Sequence, residues 1–204
     1  MAHVSPARHP STARVSEGST TNGGMQTSSD GAGLRAVFFD RDGTVVHDVP
    51  YNGDPAKVRL VDGAVEAFTR LRTAGLRTGI VTNQSGVGRG LITAAQADAV
   101  TAEVVRRLGG VDVVRTCPHA PDEGCACRKP APGLVLSAAA ALGLAPAEVA
   151  VVGDSSTDAG AADAAGARSV LVPGARTPGE GAAHDEAPDL AAALDLLLTA
   201  TAAR

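Results

Sequence analysis

Two carboxylates, Asp40 and Asp42, stand two positions apart just after an apolar run, Arg35-Ala-Val-Phe-Phe39, and are followed by Gly43 and Thr44. In many loops an Asp-x-Asp-Gly turn only satisfies local backbone groups, with glycine supplying a positive φ. A calcium loop of the EF-hand type is excluded, because the further oxygen donors and the closing glutamate are missing. Two close carboxylates with a third acid, Asp154, after another apolar run suit Mg²⁺, which takes few protein carboxylates and completes its shell with water and phosphate oxygens. The cations Lys129, Arg128 and Arg89 then have a natural target in a phosphate group.

A second chemical signal lies in Cys117-Pro-His119-Ala-Pro-Asp-Glu-Gly-Cys125-Ala-Cys127-Arg128-Lys129-Pro130. This stretch holds all 3 cysteines of the chain. Three thiolates and one imidazole are a full tetrahedral set for Zn²⁺, and a closed set leaves no position for water, so such a zinc is structural. A disulfide with one cysteine left over would need an oxidising compartment, for which the chain gives no sign. Cysteines scattered through a core would not be expected to gather beside a histidine in this way. A zinc bound by Cys117, His119, Cys125 and Cys127 would fix the loop that presents Arg128 and Lys129.

These groups must be positioned by a core poor in aromatics: apolar residues make up 44% of the 204 residues but Phe, Tyr and Trp only 2%, so Ala, Val and Leu must fill it. That length fits one domain with a tail. A net charge of −4 leaves no domain-wide basic face for nucleic acid. No apolar run is long enough to span a membrane, and the first residues lack a secretion signal, so a cytoplasmic setting is expected. Residues 1–33, rich in Ser, Thr, Gly, Pro and Ala, read as a disordered tail, with Met25 as an alternative start. His47 and His184 read as exposed loop residues.

From Leu34 onward, strand and helix patterns alternate. Strands are expected at 35–39, 76–81, 111–115, 149–152 and 169–172, and helices at 61–74, 94–108, 132–142, 158–165 and 187–202, with Thr93 capping the second helix. Continuously apolar strands alternating with helices imply an α/β fold, a three-layer Rossmann-like parallel sheet with helices on both faces. In such a sheet, ligands bind beyond the carboxyl ends of the strands. Asp40, Thr82-Asn83, the cysteine segment and Asp154 all fall there. Asp158 reads as a helix-start acid and Asp163 as a helix-surface acid.

Asp-Arg-Asp-Gly-Thr, Thr-Asn, Lys-Pro and Gly-Asp-x₃-Asp, each following an apolar strand in this order, resemble the four motifs of the haloacid-dehalogenase-like phosphatases. The cysteine loop and Thr82-Asn-Gln-Ser-Gly-Val-Gly-Arg-Gly90 are similar to the D-glycero-D-manno-heptose 1,7-bisphosphate phosphatases, whose close relatives are histidinol phosphatases with a zinc loop. The resemblance implies Asp40 as nucleophile and Asp42 as acid and base. It implies Mg²⁺ on Asp40, the Asp42 carbonyl and Asp154, with Thr82 and Lys129 on the transferring phosphoryl group. Substrate contacts are expected from Asp48, Tyr51, Asn83, Gln84, Ser85, Arg89 and Arg128. The backbone of the Gly-rich stretch 85–89 is expected to face an anion.

Too few residues separate the first motif from the first helix for a separate cap domain. An open site is therefore expected, walled by the zinc loop and the turn at 48–51. The implied partner is a small phosphorylated sugar, or histidinol phosphate, acted on by a monomer with neither nucleic acid nor membrane. A non-catalytic, zinc-stabilised binding protein is the reading from another class. All four motif positions are filled, which speaks against it.

Overall fold

The computed structural model describes residues 33–172 and 185–202; the expected tail up to Ala32, Met25 and His184 fall outside them. Strands β1 (Ala36–Phe39), β2 (Arg77–Asn83), β3 (Val113–Cys117), β4 (Val149–Gly153), β5 (Arg168–Leu171) and β6 (Asp185–Glu186) form one sheet in the order β3-β2-β1-β4-β5-β6. Every neighbouring pair is parallel. The helices are α1 (Ala64–Thr73), α2 (Ser85–Gly88), α3 (Ala94–Arg107), α4 (Gly133–Ala141), α5 (Ser156–Ala165) and α6 (Leu190–Ala202).

The central strand β1 shows why its sequence is uniformly apolar. Successive side chains point to opposite faces, and both faces are covered. Val37 and Phe39 join Phe68 and Leu71 of α1, Val104 of α3 and Leu194 of α6 in one core cluster. Ala36 and Phe38 join Leu134 and Val135 of α4 and Ala162 of α5 in the other. The expected three-layer α/β architecture is therefore present. The Phe39 and Phe68 rings lie 4.6 Å apart between centroids, a concentrated contact in a core built mostly of small residues.

Several boundaries differ from the sequence reading for reasons found in the backbone. β2 and β3 run on to Asn83 and Cys117, since Thr82 pairs with Thr116 and Asn83 with Cys117 in the ladder. Helix α1 begins three residues late, because Gly63 takes a left-handed conformation at φ +77° and caps it, while the Val61 amide donates to the Val45 carbonyl. Helix α6 begins at Leu190, the preceding Ala187 amide being bonded to Leu171 at the sheet edge, beside the short strand β6. The cap of α3 is as expected: the Thr93 hydroxyl accepts from the Gln96 amide, with Gln96 reciprocating.

Between β1 and α1 the chain makes only tight turns, two isolated bridges (Asp42 with Val46, and Val46 with Leu60) and one 3₁₀ turn at Pro55–Lys57. No separate cap domain is found among the described residues. No helix of the described residues is long and apolar enough to cross a membrane.

Candidate active site

Asp40 continues β1 by one residue, its amide donating to the Val152 carbonyl at 2.9 Å, which places its side chain beyond the carboxyl edge of the sheet. The loop then folds back, with the Val45 and Val46 amides both bonded to the Arg41 carbonyl. Gly43 sits at φ +88°, and a Cβ there would lie 2.1 Å from Asp154 Oδ2. Any other residue would drive this loop away from β4, so glycine is needed for conformation and for space together. Carboxylate oxygens of Asp40, Asp154 and Asp158, all buried, lie within 4.8 Å of one another.

Lys129 is 3% exposed. Its ammonium lies 2.7 Å from Asp40 Oδ1 and 2.5 Å from Asp158 Oδ1 and donates to the Val81 carbonyl at 2.9 Å. Burial works against its charge, but Asp40 and Asp158 more than compensate and raise its pKa above the ordinary lysine value. Burial is also the main reason why Asp40 is pushed up to about 7, with Lys129 opposing and Asp158 and Asp42 adding to the rise. A buried carboxylate in this state favours a bound cation. Asp40 and Asp154, with phosphate and water oxygens available from the cleft side, fit the sparse carboxylate set of Mg²⁺. Asp158 is committed elsewhere: its Oδ2 also accepts from the Ser155 hydroxyl at 2.7 Å and the Ser155 amide at 3.2 Å.

Asp42 lies on the same loop, half-buried, with the Arg41 guanidinium against both of its oxygens at 3.1 and 2.9 Å. Gln84 Nε2 adds a third bond to Oδ2 at 2.7 Å and also donates to the Thr82 hydroxyl at 2.9 Å. A cleft of about 180 Å³ opens in front of these groups. Asp40, Asp42, Asp48, Tyr51, Asn83, Gln84, Ser85 and Lys129 line it, so eight of the sequence-selected residues meet there. Thr82 is buried and is not part of the lining. Asn83 faces the cleft but also clamps the Lys129 backbone, donating to its carbonyl and accepting from its amide, both at 3.1 Å.

Arg89 and Arg128 do not line this cleft. Arg89 Nη1 donates to the Tyr51 hydroxyl at 2.7 Å, joining the two rims, and Arg128 Nη1 reaches back to the His119 carbonyl at 3.5 Å. Of the two expected walls, the turn is present and the zinc loop is not. The turn at 48–52 forms one side and residues 83–86 the other, whereas the cysteine loop contributes only Lys129. The Gly-rich stretch coils into α2, so the amides of Val87 to Gly90 are bonded to protein carbonyls rather than held toward an anion. Among them, Gly88 donates to Pro118 at 2.8 Å, and a Cβ on it would lie 2.5 Å from the Ala120 nitrogen. Glycine here lets α2 lie directly against the cysteine loop.

In that loop the four expected ligands converge. Cys117 Sγ lies 3.5 Å from His119 Nδ1 and 3.6 Å from Cys125 Sγ, while Cys127 Sγ lies 3.3 Å from His119 Nδ1 and 3.5 Å from Cys125 Sγ. A tetrahedral zinc with bonds of about 2.0–2.3 Å requires ligand separations of roughly 3.5–3.8 Å, so the cluster fits a single closed zinc site.

Two buried charges at the site are not evident from the sequence. Asp158, a helix-start acid by sequence, does cap α5 through Ser155, but it is also 1% exposed and paired to Lys129. Arg41, an arginine between two acids with the look of a solvated side chain, is 1% exposed. Asp163 and His47 are exposed, as expected.

The arrangement can be compared with known proteins. The family model described as "HAD-hyrolase-like" matches residues 126–197. The chain is 38% identical over 144 residues to the D-glycero-beta-D-manno-heptose-1,7-bisphosphate 7-phosphatase of Bordetella bronchiseptica, covering 68% of this chain and 80% of that protein. The chain belongs to the haloacid-dehalogenase-like hydrolases, in the family of the heptose bisphosphate phosphatases. The Escherichia coli K12 member is 38% identical over 141 residues, covering 64% of this chain and 74% of its own length. The crystal structure of the B. bronchiseptica phosphatase, complexed with magnesium and phosphate, superposes with a TM-score of 0.72 at 36% identity over 82% of this chain and 99% of that one. Membership in this family makes the chain a phosphoric monoester hydrolase.

Proposed function

We propose that the protein removes the 7-phosphate of D-glycero-D-manno-heptose 1,7-bisphosphate through an aspartyl-phosphate intermediate. The observation that carries this reading is the placement of Asp40, buried against Lys129, beside Asp42 at the mouth of one cleft, in a chain that shares 38% identity with an enzyme named for that reaction. A cytoplasmic monomer, with no nucleic-acid or membrane partner, goes with this reading.

The Asp40 oxygen not paired with Lys129 forms a bond to phosphorus as the bond from phosphorus to the sugar oxygen breaks. The electron pair of that bond stays on the sugar oxygen, which takes a proton from the Asp42 carboxyl group. In the second half, Asp42 receives a proton from water, the resulting oxygen attacks phosphorus, and the bond to Asp40 breaks, restoring its carboxylate and releasing inorganic phosphate. Lys129 balances charge on Asp40 and on the transferring group, and Asn83 fixes the backbone that carries Lys129. Mg²⁺ held by Asp40, Asp154 and the Asp42 carbonyl would offset the repulsion between a carboxylate and an anionic phosphate. Zn²⁺ on Cys117, His119, Cys125 and Cys127 would hold the loop and do no chemistry.

Away from the scissile phosphate, Asp48, Tyr51 and Ser85 offer oxygen donors and acceptors suited to sugar hydroxyls, with Arg89, bonded to the Tyr51 hydroxyl at the rim, as a cation for a second phosphate. The test is kcat/KM on the heptose bisphosphate and on histidinol phosphate side by side, with Asp40→Asn as control. A clear preference for the heptose and an inactive Asp40→Asn are expected. A histidinol phosphate preference overturns the substrate, and an active Asp40→Asn overturns the nucleophile.

A further inference from the structure

We propose that Arg41 is a positioning residue that, together with Gln84, sets the Asp42 carboxyl group for proton transfer to the leaving oxygen, an inference that rests on the acid–base role of Asp42 given above. Arg41 is the largest fully buried side chain among the described residues, although it lies between two acids on a loop. Burying a guanidinium is costly unless its donors are used. Its donors are used on two partners: Nε on Asp42 Oδ1 and Nη2 on Asp42 Oδ2, and Nη1 on the Thr101 hydroxyl at 2.8 Å.

The Thr101 hydroxyl in turn donates to the Ala97 carbonyl at 2.9 Å, so the fork is anchored in α3, a helix that contributes nothing else to the cleft. Gln84 completes the clamp from the other side of the cleft, and its own amide is tied to the Cys117 carbonyl at 2.7 Å. A planar fork on both oxygens fixes the plane and the direction of a carboxyl group, which a single contact cannot do. Asp42 keeps 25% of its side chain exposed, and Arg41 keeps 1%. The acid can therefore reach a substrate, and the arginine acts through it.

General-acid help matters when the departing oxygen is a poor leaving group and matters little when it departs readily as an anion. The readout is therefore a ratio: kcat/KM on an alkyl phosphomonoester divided by kcat/KM on p-nitrophenyl phosphate. The alkyl ester is the heptose bisphosphate or, should that not be hydrolysed, another alkyl phosphomonoester turned over by the wild type. Both substrates are measured on one preparation, so any unfolded fraction cancels. Asp42→Asn sets the size of the effect.

Arg41→Gln is expected to lower the ratio about tenfold or more, within the range that a positioned acid supplies. Arg41→Lys, which keeps the charge but loses the fork, is expected to lower it by a smaller factor, as is Thr101→Val. If Asp42→Asn lowers the ratio while Arg41→Gln lowers both activities equally, Arg41 is only structural and the proposal is overturned. If Asp42→Asn itself leaves the ratio unchanged, the acid role of Asp42 falls, and the proposal falls with it.

Discussion

The Asp158 carboxylate holds the Lys129 ammonium at 2.5 Å, with both side chains almost fully buried. Asp158 thus completes the charge around a lysine that also faces Asp40. Replacing Asp158 by Asn leaves the cation with one acidic partner in a low-dielectric site. Breaking a buried pair in this way costs roughly 3–5 kcal/mol, so the denaturant midpoint of Asp158→Asn is expected to fall markedly. Activity should fall as well, by about 10- to 100-fold in kcat, by analogy with other groups that orient a functional side chain through one contact. An unchanged midpoint and an unchanged kcat would show that the pair is idle.

Asp40 ties metal binding to pH. Burial, only partly offset by Lys129, lifts its pKa from the ordinary 3.8 to about 7. The folded value is the higher one, so in metal-free protein this group makes stability decline as pH rises from about 4 to about 7. A metal ion must displace the proton, so affinity for Mg²⁺ should rise with pH and level off above 7. Titration calorimetry on chelator-treated protein is expected to give a Kd about tenfold weaker at pH 6 than at pH 8, in line with one proton released per ion. The same Kd at both values would remove Asp40 from the ligand set.

The cysteine loop should be separable from the catalytic ion. Metal analysis of protein washed with a mild chelator is expected to find one zinc per chain, and Cys127→Ser is expected to lose it. Cys117 lies on β3, and its carbonyl holds the Gln84 amide, so a loosened loop would disturb Gln84 and, beyond it, Asp42. The expected result is a lower kcat with Mg²⁺ affinity little changed. Zinc-free wild type with full activity would contradict the assignment.

Local sequence determined more of this protein than its length suggests. An apolar run such as Ala36–Phe39, short, rich in β-formers and closed by Asp40, reads as a strand covered on both faces, and the alternation of such runs with helical patterns points to a parallel sheet with its polar ends on one edge. Asp40, Asp42, Lys129, Asp154 and the four cysteine-loop ligands were therefore legible as groups that would meet. Tertiary structure decided which groups touch. It made Arg41, to which the sequence assigns no role, and Asp158, a helix-start acid by sequence, into buried partners of Asp42 and Lys129, because burial depends on what α3 and α5 bring across the loop. It also moved Arg128 off the cleft and coiled 85–88 into a helix, where the Val87 amide finds the Gln84 carbonyl and the Gly88 amide the Pro118 carbonyl of the cysteine loop. Spacing along the chain fixes periodicity and strand ends, whereas a charge's partner is fixed by elements 29 residues away for Asp158 and 60 for Thr101.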